Sequence, residues 1–563
     1  MTIAERQKRT TVNIHEKADL IGSITEKLVG VYKHHEYVNV ILPMCVVKRF
    51  SDTLNAAKSE PKPDNLSASE FGFYNTSEIT FESLLSDPDN IANNFRDYLK
   101  QFSNNVLDVI EKFDFDKEIT KLDKNGILYN VISDFCSDKA YMGADKISAV
   151  DMGYIFEEIV RRFSEGSDEQ AGAHFTARDI VYLMTEVLVA PHREKIALKG
   201  ITASIYDMAM GTSQMLDCLS ERIWEINPDA QLTEFGQELN EQTFAIANAN
   251  MLIRGRNAEN MKLGDTLNND KFEGYKFDYI ISNPPFGIEW KNEMKEVREE
   301  NGRGDAGRFG AGLPSLGDSQ QLFVLNGVAK LKDTGRMAII QNGSPLFKGD
   351  AGSGESNIRG YLLEHDWLEA IIQIPHYMFY NTGIPTYIWV VSKDKSVERA
   401  GKVQLIDASK CYTKRRKHIG YKRYEFDDNC IRLIMKAYNA FADGTYSDGD
   451  LVVESKVKDN EDFKFRKVTV VLPSDSQTDK KGKTERDTEI IPWKEDVQEY
   501  MEKNVLPYRP KARILENQTK IGYEIPFARE FYKYVPLEPS KTIIARLKEL
   551  DEIEKELMGR IIG

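Results

Sequence analysis

Phe277-Asp278-Tyr279-Ile280-Ile281-Ser282-Asn283-Pro284-Pro285-Phe286 reads as a buried strand that stops on two prolines. Its first half clusters apolar β-formers. Proline lacks a backbone N–H and disfavours helix in the residue before it, so Asn283 and Pro284 are expected to sit extended at the mouth of a sheet, with free carbonyl oxygens. An amide side chain, a free backbone carbonyl and an aromatic face at adjacent positions can grip a planar exocyclic amine. The oxygens accept its N–H hydrogens, and Phe286 stacks on the ring that carries it. A strand running into a polyproline-like loop is the plainer reading of Pro-Pro alone. The residues upstream decide between the two.

Strands and helices alternate from about residue 200, which predicts a mostly parallel sheet covered on both faces. Strands are expected at 203–206, 232–235, 261–263 and 277–282, then at 337–341, 370–374 and 387–392, with helices at 216–226 and 243–252 between the first ones. The first three strands each run into a carboxylate: Asp207, Glu238 and Asp265. In an open α/β sheet the ligand sits outside the carboxyl ends of the strands, and the acid ending the second strand binds ribose hydroxyls. Gly211 lets the backbone approach a ligand at the first turn. Asp265 is placed to accept from an adenine amino group, and Asp207 to pair with an amino-acid ammonium, directly or through water. Adenine, ribose and an amino acid in one molecule describe S-adenosylmethionine. Taken singly, each acid is as well explained as a solvated loop residue.

With these residues in hand, the chain resembles the modification (methylation) subunits of type I restriction–modification enzymes, which are DNA adenine-N6 methyltransferases. The resemblance rests on Asn283-Pro284-Pro285-Phe286, on Phe175-Thr176-Ala177-Arg178 ahead of the first strand, and on Gly236-Gln237-Glu238-Leu239-Asn240. Further matches are Val47-Lys48-Arg49-Phe50-Ser51-Asp52, Asn342-Gly343, Ile358-Arg359, Phe379-Tyr380-Asn381-Thr382 and Ile521 to Phe527, so it covers nearly the whole chain. The motif order is similar to the gamma arrangement of amino-methyltransferases. The resemblance implies an α/β, Rossmann-like methyltransferase sheet with a helical N-terminal domain and a helical C-terminal extension. It implies that His174, Phe175, Thr176, Asp207, Gly211, Thr212, Ser213, Glu238 and Asp265 line the S-adenosylmethionine pocket, and that Asn283, Pro284, Pro285 and Phe286 hold a flipped adenine. It also implies DNA, a specificity subunit, an ATP-dependent restriction subunit and a second copy of the chain as partners. Two departures stand out. Met208 replaces a proline at the first turn, where Ser213-Gln214 replace small residues and would narrow the room for the methionine tail. Ala177 replaces the proline that usually follows Thr176.

Composition bounds the rest. At 563 residues, two to four domains are expected, read as a helical docking domain at 1–150, a catalytic domain at 151–400 and a C-terminal region at 401–563. No window has the apolar length of a membrane span, and the first residues lack the apolar core of a signal peptide, so a cytoplasmic protein is expected. Five separated cysteines argue against a disulfide framework or structural zinc, and no metal is expected. A net charge of −14 argues against a chain that coats nucleic acid by itself, although a local basic groove can still supply phosphate contacts. The densest basic run, 411–424, makes Lys414, Arg415, Arg416 and Lys417 the candidate DNA contacts, against the plainer reading of a solvated face.

In the N-terminal region, amphipathic helices are expected at 37–54, 95–113 and 127–135, and Thr176 is expected to cap the helix that follows it. Gly302 to Gly307 matches GxGxxG but follows a charged helix, so it reads as a mobile loop beside the substrate groove. Gly349 to Ser356 resembles a phosphate loop with Glu355 where lysine must sit, which excludes ATP there. Residues 472–489 read as a flexible excursion, and 540–562 as an amphipathic helix for docking the specificity subunit. Two competing functions remain: a protein glutamine methyltransferase, and a scaffold that has lost cofactor binding.

Overall fold

The computed structural model describes residues 20–59, 72–147, 151–152, 155, 159, 176–472, 485–534 and 538–562. Residues 1–525 form one compact unit and 526–563 a second.

The apolar runs become a ten-stranded sheet. Its strands are β1 (Thr202–Asp207), β2 (Gln231–Glu238), β3 (Met261–Leu263), β4 (Phe277–Ser282), β5 (Leu331–Asn342), β6 (Leu368–Ile374), β7 (Thr386–Ser392) and β8 (Lys402–Lys410), with β11 (Gly444–Asp448) and β12 (Leu451–Asp459) at one edge. The spatial order is β11-β12-β8-β6-β7-β5-β4-β1-β2-β3. β3, β2, β1, β4 and β5 run parallel, whereas β7 is inserted antiparallel between β5 and β6. The strand order reverses between β1 and β4, the position at which an open α/β sheet leaves a crevice. Because β8, β12 and β11 continue the same sheet, the boundary expected at residue 400 does not fall at a sheet edge.

Buried side chains of the helix Arg178–Val189 and the helix Gln214–Ile226 share one core with β1, β4, β5, β6 and β7. Inside this unit lies a buried charge network: Arg336 on β5 donates to both carboxylate oxygens of Glu369 on β6, at 2.8 and 3.0 Å, and to the Tyr438 hydroxyl at 2.8 Å.

The N-terminal region is helical, with helices Val38–Ser59, Ile91–Lys100, Asn104–Lys112, Phe115–Lys124 and Leu128–Phe135. The single run expected at 95–113 is two helices. Ser103 breaks it by adopting extended backbone and donating its N–H to the Tyr74 carbonyl. Lys48 and Arg49 face inward. Lys48 pairs with Asp52 at 2.8 Å, and Arg49 donates to the carbonyls of Met142 and Ile147. This helical core also takes in Ala245, Ile246, Ala249 and Leu252 of the helix Glu241–Ile253, which begins just after β2. The helical region is thereby packed on the helix that follows β2.

The later chain adds β-structure in two places, and one expectation, the flexible excursion, is corrected. The basic run is a β-hairpin, β9 (Thr413–Ile419) and β10 (Lys422–Glu425). Residues 485–489, read as flexible, lie in β14 (Glu485–Pro492), which pairs with β13 (Lys464–Leu472); β15 (Arg513–Tyr523) completes a three-stranded sheet, and 473–484 fall outside the described residues. The second unit consists of the short helix Phe527–Phe531 and the helix Ser540–Ile562, whose Ile543, Leu547, Leu550, Ile553 and Leu557 are exposed. Among the described residues, no helix is long and apolar enough to cross a membrane, and no cluster of three metal-ligating side chains occurs. All five cysteines are free thiols.

Candidate active site

A cavity of about 1120 Å³ opens at the carboxyl ends of β1 to β4. Its floor is the turn after β1. Gly211 has φ +54° and Ser213 φ +68°, so the chain makes a tight left-handed turn that places backbone N–H groups on the wall. The Gly211 N–H donates to Glu238 Oε2 at 2.9 Å, and the Asn240 N–H donates to Glu238 Oε1 at 2.8 Å. Gly236 nearby leaves room for the Met210 side chain, whose sulfur a Cβ there would meet at 2.2 Å. The third wall is the loop after β3. Asp265 accepts from the Leu267 N–H at 2.7 Å, and Thr266 Oγ1 donates to the Met208 carbonyl at 2.5 Å.

Of the residues expected at the site, Thr176, Gly211, Thr212, Glu238, Asp265, Asn283, Pro285 and Phe286 all border this one cavity. His174 and Phe175 lie outside the described residues. Three others are placed elsewhere. Asp207 is completely buried and does not border the cavity; its Oδ1 accepts from the Ala209 N–H at 3.0 Å and from Ser282 Oγ at 2.7 Å. Burial pushes its carboxyl up to about 7, against the pull of those two bonds, and the charge of Glu238 adds to the rise. Through Oδ1 it braces the tips of β1 and β4, while its Oδ2 is buried without a partner. Ser213 is buried and turned away, accepting from Asn250 Nδ2 at 3.1 Å, so it does not narrow the cavity; Gln214 does border it. Pro284 is buried and does not border the cavity.

Thr176 also differs from expectation. The helix it precedes is capped from Ala177 with no side-chain bond, and the Thr176 oxygen instead accepts from Asn283 Nδ2 at 2.8 Å. Asn283 Oδ1 is buried with no partner. Phe286 meets Phe379 edge-on, with ring centroids 6.2 Å apart.

Sequence reading missed part of the wall. Asn381 and Thr382 border the cavity, from a motif quoted for the resemblance but given no role. So does Glu293, whose carboxyl is raised by burial and by the neighbouring Asp265; nothing in the charged run around it signals this. Just beyond the exposed glycine-rich loop, Arg308 is engaged with the cavity wall. Arg308 donates to the carbonyls of Thr266 and Leu267 and to Glu300, and so holds the third wall.

The basic hairpin lies against the cavity's rim. The Tyr421 N–H donates to the Tyr380 carbonyl at 2.8 Å, Arg423 N–H to Tyr377 at 2.9 Å, and Lys422 Nζ to Met378 at 2.9 Å, so β9 and β10 support the loop that carries Asn381 and Thr382. Lys414, Arg416 and Lys417 are exposed, whereas Arg415 is half-buried and paired with Glu425.

Comparison with known proteins agrees with this geometry. Residues 148–471, more than half of the chain, match the N-6 DNA methylase family, and residues 18–135 match the HsdM N-terminal domain. The chain is 26% identical over 298 residues to the MjaIX type I restriction enzyme methylase subunit of Methanocaldococcus jannaschii, covering 53% of this chain and 50% of that protein. It is 28% identical over 278 residues to the HindI type I restriction enzyme methylase subunit of Haemophilus influenzae, covering 48% and 56%. The chain thus spans about half the length of the curated relatives it matches. The methyltransferase subunit of a type I restriction-modification system from Streptococcus thermophilus superposes with a TM-score of 0.63 at 22% identity, covering 80% of this chain and 96% of that one, a likeness of fold. A match over most of the sheet and every strand tip around the cavity, joined to the Asn-Pro-Pro-Phe segment on its wall, assigns the chain to a family: it belongs to the N-6 DNA methylases.

Proposed function

We propose that this chain is the methyl-transferring subunit of a type I restriction–modification complex, acting on the N6 amine of adenine in DNA with S-adenosylmethionine as cofactor. The observation that carries the reading is Asn283 Oδ1, a buried acceptor without a partner, on the wall of the same cavity as Glu238 and Asp265.

The donor set suits the cofactor. Glu238 has each carboxylate oxygen bonded once to backbone N–H, leaving lone pairs for two ribose hydroxyls. Asp265, which borders the cavity, is the proposed acceptor for an adenine amine, and the turn at Gly211 offers close backbone approach. Bound there, S-adenosylmethionine supplies an electrophilic methyl group. The chain's own contribution is to hold the amine. Asn283 Oδ1 accepts an N6–H and draws the nitrogen lone pair out of conjugation with the ring. Phe286 stacks on the base, offsetting part of the few kcal/mol that flipping costs. The Pro284 carbonyl, next along the chain, is proposed as the second acceptor for the amine.

Reading of the DNA sequence falls to a specificity subunit, and the exposed apolar stripe of the helix Ser540–Ile562 is the surface proposed to meet it. The match to the HsdM N-terminal domain favours DNA over a protein glutamine as substrate. Co-expression with a specificity subunit and mapping of N6-methyladenine in host DNA tests the proposal. Methylation at one sequence motif is expected. Label from S-adenosylmethionine appearing in protein, or no saturable cofactor binding, would overturn it in favour of the glutamine enzyme or the scaffold.

A further inference from the structure

The two ends of the Asn283 amide have nearly the same shape and opposite chemistry. Only the oxygen end can accept from an exocyclic amine; the reversed amide would set N–H against N–H. Its neighbour here is Thr176, whose oxygen takes the Nδ2 hydrogen at 2.8 Å, while Oδ1 is without a partner.

A threonine hydroxyl both donates and accepts, so by itself it tolerates either orientation of the amide. The tolerance ends when the hydroxyl proton is engaged elsewhere, because the oxygen can then only accept. Thr176 borders the same cavity as Gly211 and Thr212, so its proton can be engaged by an acceptor that a ligand brings to it.

Thr176 is also unusually well held. Three residues on, Asp179 is buried and receives Lys422 Nζ on both carboxylate oxygens, at 3.0 and 2.9 Å, and the Phe426 N–H at 2.8 Å. Lys422 is itself buried and also donates to the Met378 carbonyl. The backbone just after Thr176 is therefore fixed to the hairpin and to the loop on the opposite rim.

We infer that Thr176 is a positioning residue that couples the two halves of the cavity: a ligand acceptor that takes its hydroxyl proton locks the Asn283 amide with its oxygen toward the target amine. Cofactor occupancy then favours capture of the flipped base before any chemistry takes place, and by linkage the captured base favours the cofactor. The inference rests on the proposed function and refines its order of events.

The test uses S-adenosylhomocysteine, which has no methyl group to transfer, and the complex assembled with its specificity subunit. The DNA carries the mapped site with the target adenine intact and 2-aminopurine as the base next to it, whose fluorescence rises when the adenine flips out of the stack. Wild type is expected to hold the flipped base about 5-fold more tightly, or better, at saturating S-adenosylhomocysteine than without it, the usual lower range of coupling between sites. Thr176→Ser keeps the hydroxyl and is expected to keep the coupling. Thr176→Val, which removes the hydroxyl, is expected to bring the ratio to about one. Coupling retained in Thr176→Val, absence of coupling in a wild type that binds the ligand, or a Thr176→Val variant that cannot be saturated would each overturn the inference. A wild type that never binds S-adenosylhomocysteine saturably would instead overturn the proposed function.

Discussion

Glu238 and Gly211 are joined by a 2.9 Å hydrogen bond from the glycine N–H to the carboxylate, so the tip of β2 and the turn after β1 form one wall. Replacing the acid removes the turn's anchor and the proposed ribose acceptor together. Glu238→Ala is expected to weaken S-adenosylmethionine binding by about 10- to 100-fold, the equivalent of roughly 1.5–3 kcal/mol for one hydrogen bond to a charged group. Titration calorimetry reads this directly. Wild-type affinity in the variant would move the ligand away from β2.

Asp207 gives the fold a pH dependence of definite sign. Its folded carboxyl titrates at about 7, raised by burial from an ordinary value of 3.8. Between those values the folded chain keeps a proton that the unfolded chain releases. This group's contribution to stability therefore falls as pH rises through the window, by at most about 1.4 kcal/mol for each pH unit crossed, and levels off above it. Thermal melts of wild type and Asp207→Asn from pH 5 to 8 are expected to show the variant losing less stability over that range. Parallel curves would contradict the assignment.

Arg336 and Glu369 form a bidentate pair that is almost wholly buried. Burial alone would raise the Glu369 carboxyl, but Arg336, with help from Arg399 and Tyr438, holds it down at about 2. Removing one partner strands the other charge, so Glu369→Ala is expected to cost about 3–5 kcal/mol in urea unfolding. A loss below about 1 kcal/mol, the range of an exposed pair, would show that water reaches the site.

Charge reversal at Lys414 and Arg416, both exposed on the hairpin, is expected to weaken DNA binding by the assembled complex and to lower its salt slope by about 0.9 for each phosphate that is no longer neutralised. Reversal at Arg415, already paired with Glu425, is expected to change the slope less. Equal slopes in all variants would leave the hairpin a solvated surface.

The sheet was legible because strands 277–282, 261–263 and 387–392 are apolar runs bounded by turn residues, and period alone locates them. Which way a strand-tip side chain turns is a different matter. Asp207 and Glu238 look alike in sequence, yet Ser282 and the Ala209 N–H draw one inward while Gly211 and Asn240 hold the other on the cavity wall. Ser213 likewise turns away only because Asn250, 37 residues later, reaches it. The role of Lys422 was hidden in a basic run for the same reason, since its partner Asp179 lies 243 residues upstream. Long-range pairing decides these cases, and a local pattern does not encode it.

The most direct measurement is transfer of labelled methyl from S-adenosylmethionine to site DNA by the assembled complex, comparing wild type with Asn283→Ala. Label is expected on adenine N6 in wild type. The variant is expected to be slower by about 10²- to 10³-fold, the scale for removing one positioned hydrogen-bonding group, with cofactor affinity unchanged. Transfer by Asn283→Ala at the wild-type rate would contradict the assignment of Asn283 as the group that holds the amine.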